Sequence, residues 1–163
     1  MSHRHQAAAY AVACLLFGLL APLPACADST PPTTRQSAQN TFFGESTVRL
    51  GKHTLKVEVA NTPQARNQGL MFRTSLPDNQ GMLFKFDQAG EHCMWMQNTL
   101  IDLDVAFFNA QGRLINIEAM QAGTVQIHCA KSPALYALEM NRGWFDANHV
   151  KSGTQLHVQT PEK

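Results

Sequence analysis

Short apolar runs at a period of two residues, each closed by turn residues, constrain this chain more than any other feature. In His53 to Ala60, Leu55, Val57 and Val59 face one way, and Thr54, Lys56 and Glu58 face the other. That alternation marks a half-buried strand. Met82 to Phe86 repeats it, with Met82, Phe84 and Phe86 on one side. Cys93 to Gln97 and Leu103 to Phe108 are further strand candidates. In the first, Cys93 and Trp95 would share a face opposite Met94 and Met96. Gln111-Gly112 is a turn signal, so Arg113 to Met120 is expected to return as a hairpin. Ala134 to Met140, with Tyr136, Leu138 and Met140 inward, and Thr154 to Thr160 complete the set.

Helical signals are few. Thr62-Pro63 has the form of an N-cap followed by a first-turn proline, and Gly69 is placed to stop the helix. Asn141 is expected to cap a second short helix through Trp144 and Phe145. The tally is about eight short antiparallel strands with two short helices, so a β-sandwich or partly closed barrel is expected rather than βαβ units. The alternation implies that each sheet keeps one wet face.

The N-terminus follows different rules. A polar start with Arg4 precedes the apolar run Ala7 to Ala21, and Ala25-Cys26-Ala27 has the form of a cleavage site. Residues 1–27 are therefore expected to be a signal peptide, with cleavage after Ala27. Lipidation of Cys26 is the alternative. The apolar run falls short of the roughly 20 residues that span a bilayer. Residues 28–45, rich in Pro, Thr, Ser and Gln, are expected to be a flexible linker. Residues 46–160 are expected to form one β domain. The expected location is periplasmic or extracellular.

Charge excludes two partner classes. The chain has 13 Lys+Arg and 12 Asp+Glu. Arg4 is the one charge in the leader, so the remaining chain is balanced. It has neither the basic footprint that nucleic acid requires nor a polybasic membrane patch. The expected partner is a small molecule or an envelope protein, and the protein is expected to be a monomer without a transmembrane helix.

Of the four cysteines, Cys14 lies in the leader, and Cys26 is either removed or lipidated. Cys93 and Cys129 remain, in an oxidising compartment, and are expected to form a disulfide.

Several motifs carry a family resemblance. They are Arg66-x-x-Gly69-Leu70-Met71-x-Arg73, Gly81-Met82-Leu83-Phe84-x-Phe86, Trp95-Met96-x-Asn98-Thr99, Leu103-Asp104 with Phe107, and Ala137-Leu138-Glu139-Met140-Asn141-x-Gly143-Trp144. Together they resemble the bacterial and archaeal domain-of-unknown-function family number 192, over roughly residues 46 to 160. The resemblance implies a mainly β, jelly-roll-like sandwich and no particular activity. Asp102 stands where the family usually has a proline.

Four chemistries compete. Arg66, Arg73, Asn98 and Asp104 are polar among many apolar neighbours and must find partners or a ligand. With Trp95 as an apolar wall they are the candidate lining of a pocket, although each also has a structural explanation as a bridge or turn residue. This favours a non-catalytic binding or accessory module. His92, Met94 and Met96, with Met71 and Met82 nearby, are soft or borderline donors that would suit copper. Apolar methionine at that period is also ordinary core packing. His92-Cys93 and His128-Cys129 would make a two-His two-Cys zinc set, or a thiol nucleophile with its base, only if the cysteines stay free. Asp102, Asp104, Glu118 and Glu139 are candidate carboxylates for a hydrolase acting on envelope or carbohydrate substrates. Trp95, Trp144 and Tyr136 could stack on a sugar without cleaving it.

Overall fold

The computed structural model describes residues 43–159. The expected leader, the Cys26 alternative and the linker ahead of residue 43 lie outside the described residues. Phe43 is buried in the core, and strand β1 follows directly as Gly44–Leu50. Next come β2 (His53–Ala60), α1 (Pro63–Gln68), β3 (Gln80–Gly90) and β4 (Cys93–Met94). After these lie β5 (Leu103–Phe108), β6 (Leu114–Met120), β7 (His128–Cys129), β8 (Ala134–Asn141), α2 (Trp144–Ala147) and β9 (Leu156–Val158). Among the described residues the protein is thus mainly β, as expected.

Seven strands make one sheet, in the order β6-β5-β8-β3-β2-β1-β9. Its neighbours are antiparallel except β2 and β3, which run parallel. A parallel pair needs a long crossover, and the segment that carries α1 supplies it. Thr62 caps α1 by accepting a hydrogen bond from the Ala65 N–H, and Pro63 opens the helix. Gly69 ends it at φ 47°.

The sheet curls until its two edges meet. Leu114 N–H donates to Thr154 O, Leu156 N–H donates to Gly112 O, and Arg113 bridges Gln155. These contacts join the β6 edge to the β9 edge and make the sheet a half-barrel. Val48, Leu50, Leu55, Val57, Leu83, Ala106, Phe108, Leu138, Met140 and Leu156 form one core with Trp144 and Phe145 of α2. Because both edge strands and the strands between them contribute to it, this core fills the inside of the curl.

A second core lies on the outer face. Met82, Phe84, Phe86, Leu103, Val105, Phe107 and Ala137 pack there against Ala65, Leu70, Leu76, Met96 and Ala130. The expectation of one wet face per sheet therefore fails at the centre: β5 is buried at all six positions. Its near-continuous apolar run is what a strand covered on both sides requires. A separate two-stranded sheet, β4 with β7, forms part of the cover.

Two local expectations also change. The strand expected over Cys93 to Gln97 stops at Met94, because Met96 N–H bonds Thr124 O and Asn98 turns left-handed at φ 61°. Asn141 does not cap α2. Its side-chain amide donates to Leu76 O, and Gly143, at φ 80°, takes the cap position.

The seam and the cover each yield a prediction. Gly112 has φ 74°, and a Cβ there would collide with the Leu156 carbonyl oxygen. Gly112→Ala should therefore lower stability by roughly 2 kcal/mol or more, read as a lower denaturation midpoint. Cys93 and Cys129 are bonded, with 36 residues of separation. Replacing both by serine should cost roughly 3–4 kcal/mol by the loop-closure account, measured by denaturant titration with and without reductant.

Candidate functional site

A groove of about 510 Å³ runs between α1, the second half of β3 and the strand–loop at β4. Its floor and walls are Phe84, Phe86 and Trp95, with Arg66, Asn67, Asp87, Gln88, His92, Cys93 and Met94 around them. Period two on β3 sends Phe84 and Phe86 to the same side. His92 stacks on Phe86, with ring centroids 3.6 Å apart and planes 13° apart. Its Nε2 lies 2.9 Å from Gln88 O and donates to it when protonated. Trp95 keeps 51% of its surface exposed. Its ring is therefore on the surface beside the groove and not part of either core.

Arg66 brings charge to the same place. It donates to Lys85 O at 2.9 Å and pairs with Asp87 Oδ2 at 2.8 Å. That ion pair ties α1 to the sheet, as a structural reading predicts. A guanidinium has five N–H donors, so Arg66 retains donors for a ligand. The Cys93–Cys129 disulfide closes one wall.

The other expected pocket residues lie elsewhere. Arg73 makes a two-pronged pair with Glu58, at 2.5 and 2.6 Å, and lies over the Phe43 ring at 5.9 Å. Asn98 forms a left-handed turn and directs its amide to Met71 Sδ at 4.0 Å, while its carbonyl accepts from Phe72 N–H. Asp104 is buried on β5 and accepts from Gly143 N–H at 2.7 Å, with Arg142 3.4 Å from its other oxygen. Burial raises its pKa above the usual carboxylate value, partly offset by the Gly143 bond and Arg142. Arg66 and Trp95 thus meet at the groove, and Arg73, Asn98 and Asp104 do not line it.

The competing donor sets are also placed. The disulfide consumes both thiols, which removes the two-His two-Cys zinc set and the cysteine nucleophile. His92 and Met94 line the groove, whereas Met96 is buried in the outer core, as is Met82. Met71 is half-buried beside Asn98. Among the described residues, no three His, Cys, Asp or Glu side chains cluster as a metal site. Asp102 accepts from Ala122 N–H at 2.7 Å. Glu118 bonds Asn116 and faces Lys131 at 3.6 Å. Trp144 lies in the inner core with its indole N–H on Asn79, and Tyr136 packs beside that core.

Glu139 is the least expected of the carboxylates. It is 4% exposed and stands between Met82 and Val105 in the outer core. Burial alone pushes its pKa from 4.5 to about 8. Its burial was not expected, because period two places Glu139 opposite Tyr136, Leu138 and Met140, on a face expected to be wet. Asn67, Asp87 and Gln88 were missed as well. Nothing local announces that α1 and the end of β3 meet.

Comparison with other proteins places this arrangement. Residues 46–158 match the DUF192 family, described as "Uncharacterized ACR", and the chain belongs to that family. No curated protein matches it. A crystal structure from Sinorhizobium meliloti 1021, assigned there as a candidate transcription regulator, is 34% identical. Its TM-score is 0.69 over 71% of this chain and 95% of that one. A protein of unknown function from Novosphingobium aromaticivorans DSM 12444 is 32% identical, with TM-score 0.65 over 71% and 84% of the respective chains.

Glu139 sets a pH dependence. Below pH 4.5 both folded and unfolded chains hold its proton. As pH rises, the unfolded chain releases the proton first, while the folded chain keeps it until about pH 8. Its contribution is thus fully present in acid and is lost as pH rises through that window. Glu139→Gln should abolish this loss, on the order of a few kcal/mol. The check is the wild-type minus variant difference in unfolding free energy across the window.

Proposed function

We propose that the protein is a non-catalytic extracytoplasmic binding module, and that its groove takes a small organic ligand with a flat apolar face and an oxygen-rich edge. A saccharide of the envelope has that form. The observation that carries this reading is a half-exposed Trp95 beside a groove floored by Phe84 and Phe86 and edged by Arg66, Asn67, Asp87 and Gln88. Binding pockets combine apolar and aromatic walls with a few placed polar groups. Sugar C–H faces stack on aromatic rings, and their hydroxyls bond to arginine, amide and carboxylate. The leader expected in residues 1–27 supports an envelope location. The balanced charge gives no support for carrying over the regulator role assigned to the Sinorhizobium relative.

The test is calorimetric titration with soluble envelope oligosaccharides, neutral and acidic. Trp95→Ala should weaken binding at least about tenfold, or roughly 1.4 kcal/mol, with little change in melting temperature. Arg66→Ala should act mainly on acidic ligands. If both variants bind as the parent does, the groove is not the site. If no oligosaccharide binds and protein from its own envelope fraction shows no bound mass, the small-ligand reading fails.

A further inference from the structure

Behind the disulfide wall, the inner face of the β4–β7 ladder carries an unexplained polar atom. His128 is only 8% exposed, and its Nε2 is buried without a hydrogen-bond partner. Buried polar atoms in native proteins are nearly always paired, so this one needs a reason. Met94 stands directly opposite His128 in the ladder. Met96 lies two residues on, beyond the end of β4, with its N–H on Thr124 O. Met96 belongs to the outer core, 1% exposed, and Met94 packs against it. An imidazole nitrogen without a partner and the Met94 thioether are thus directed to the same side of one two-residue ladder, next to the core in which Met96 is buried.

We propose that His128 Nε2, Met94 Sδ and Met96 Sδ form a binding site for a soft monovalent metal ion, Cu(I) by chemical class. Thioether and imidazole donors favour a soft ion over hard divalent cations. The nearby thiols are spent in the disulfide, which leaves methionine as the soft donor beside His128. Met94 is half-buried and lines the groove, so the ion has an entry path through the groove wall. His92, which sequence proximity groups with the two methionines, is not the nitrogen donor, because its ring lies on Phe86 and its Nε2 meets Gln88 O. The site does not depend on the groove's organic ligand.

Ag(I) is a redox-silent probe that leaves the disulfide intact. It would be titrated into the protein and followed by native mass spectrometry and by imidazole nitrogen NMR. The expected result is one Ag(I) per chain, with the His128 Nε2 resonance displaced and that of His92 unmoved. Met94→Leu should weaken binding at least tenfold, and Met96→Leu likewise. Leucine is close to methionine in volume, so the fold should persist. Met71→Leu should bind as the parent does. The proposal is overturned if no Ag(I) is held, if Met94→Leu binds equally well, or if His92 is the ring that responds.

Discussion

Four residues, Cys93–Met94 and His128–Cys129, pin part of the cover over the outer face of the half-barrel. The ladder they form is two pairs long, which by itself is a weak hold, because an isolated two-stranded ribbon is marginal in water. The disulfide makes it persistent. Its sulfurs bridge residues that already face each other in register. Met96 and Ala130, just beyond the ladder, are buried in the outer core, Met94 packs against that core, and Cys93 and Met94 also line the groove. Without the ladder, Trp95 and His92 lose their fixed positions beside Phe86, and the groove loses a side.

The two faces of the sheet have been put to different uses. Inside the curl, the core is apolar except where Asp104, on the face of Ala106 and Phe108, accepts from Gly143 N–H, and the seam between β6 and β9 is closed by backbone hydrogen bonds. On the outer face, polar groups intrude. Glu58 pairs with Arg73, while Glu139 is buried among apolar neighbours and His128 Nε2 has no hydrogen-bond partner. Buried polar groups cost stability unless they are satisfied. The ion pair Arg66–Asp87 and the groove are on that side too, since Phe84 and Phe86 belong to the outer core.

How much of this could be read from the residues depended on whether the governing physics is local. His53–Ala60 and Leu103–Phe108 begin and end where alternation and apolar density place them. Thr62, Pro63 and Gly69 act as cap, first turn and stop because capping is settled within a few residues. The parallel pairing of β2 with β3 is different. It depends on where a crossover carries the chain, and no window of sequence contains that information. Double burial of β5 left a trace, for Leu103–Phe108 carries one polar residue, Asp104, among six. That trace conflicts with the rule of one wet face and points to the rarer covered strand.

The same distinction explains the site. Arg66 and Trp95 reach one groove because α1 packs on the sheet beside the end of β3, a meeting determined by the crossover. Arg73, only seven residues from Arg66, goes to Glu58 on β2 instead, because the chain turns left-handed at Phe72, φ 63°, directly before it. Phe72 is exposed and spends its backbone N–H on Asn98 O, and Asn98 is itself left-handed. Two non-glycine residues in a costly conformation, bonded to each other, turn both segments where they pass. That exchange stops the strand after Cys93–Met94 short. Trp95, on whose exposure the binding proposal rests, lies in the short stretch between the end of β4 at Met94 and this turn.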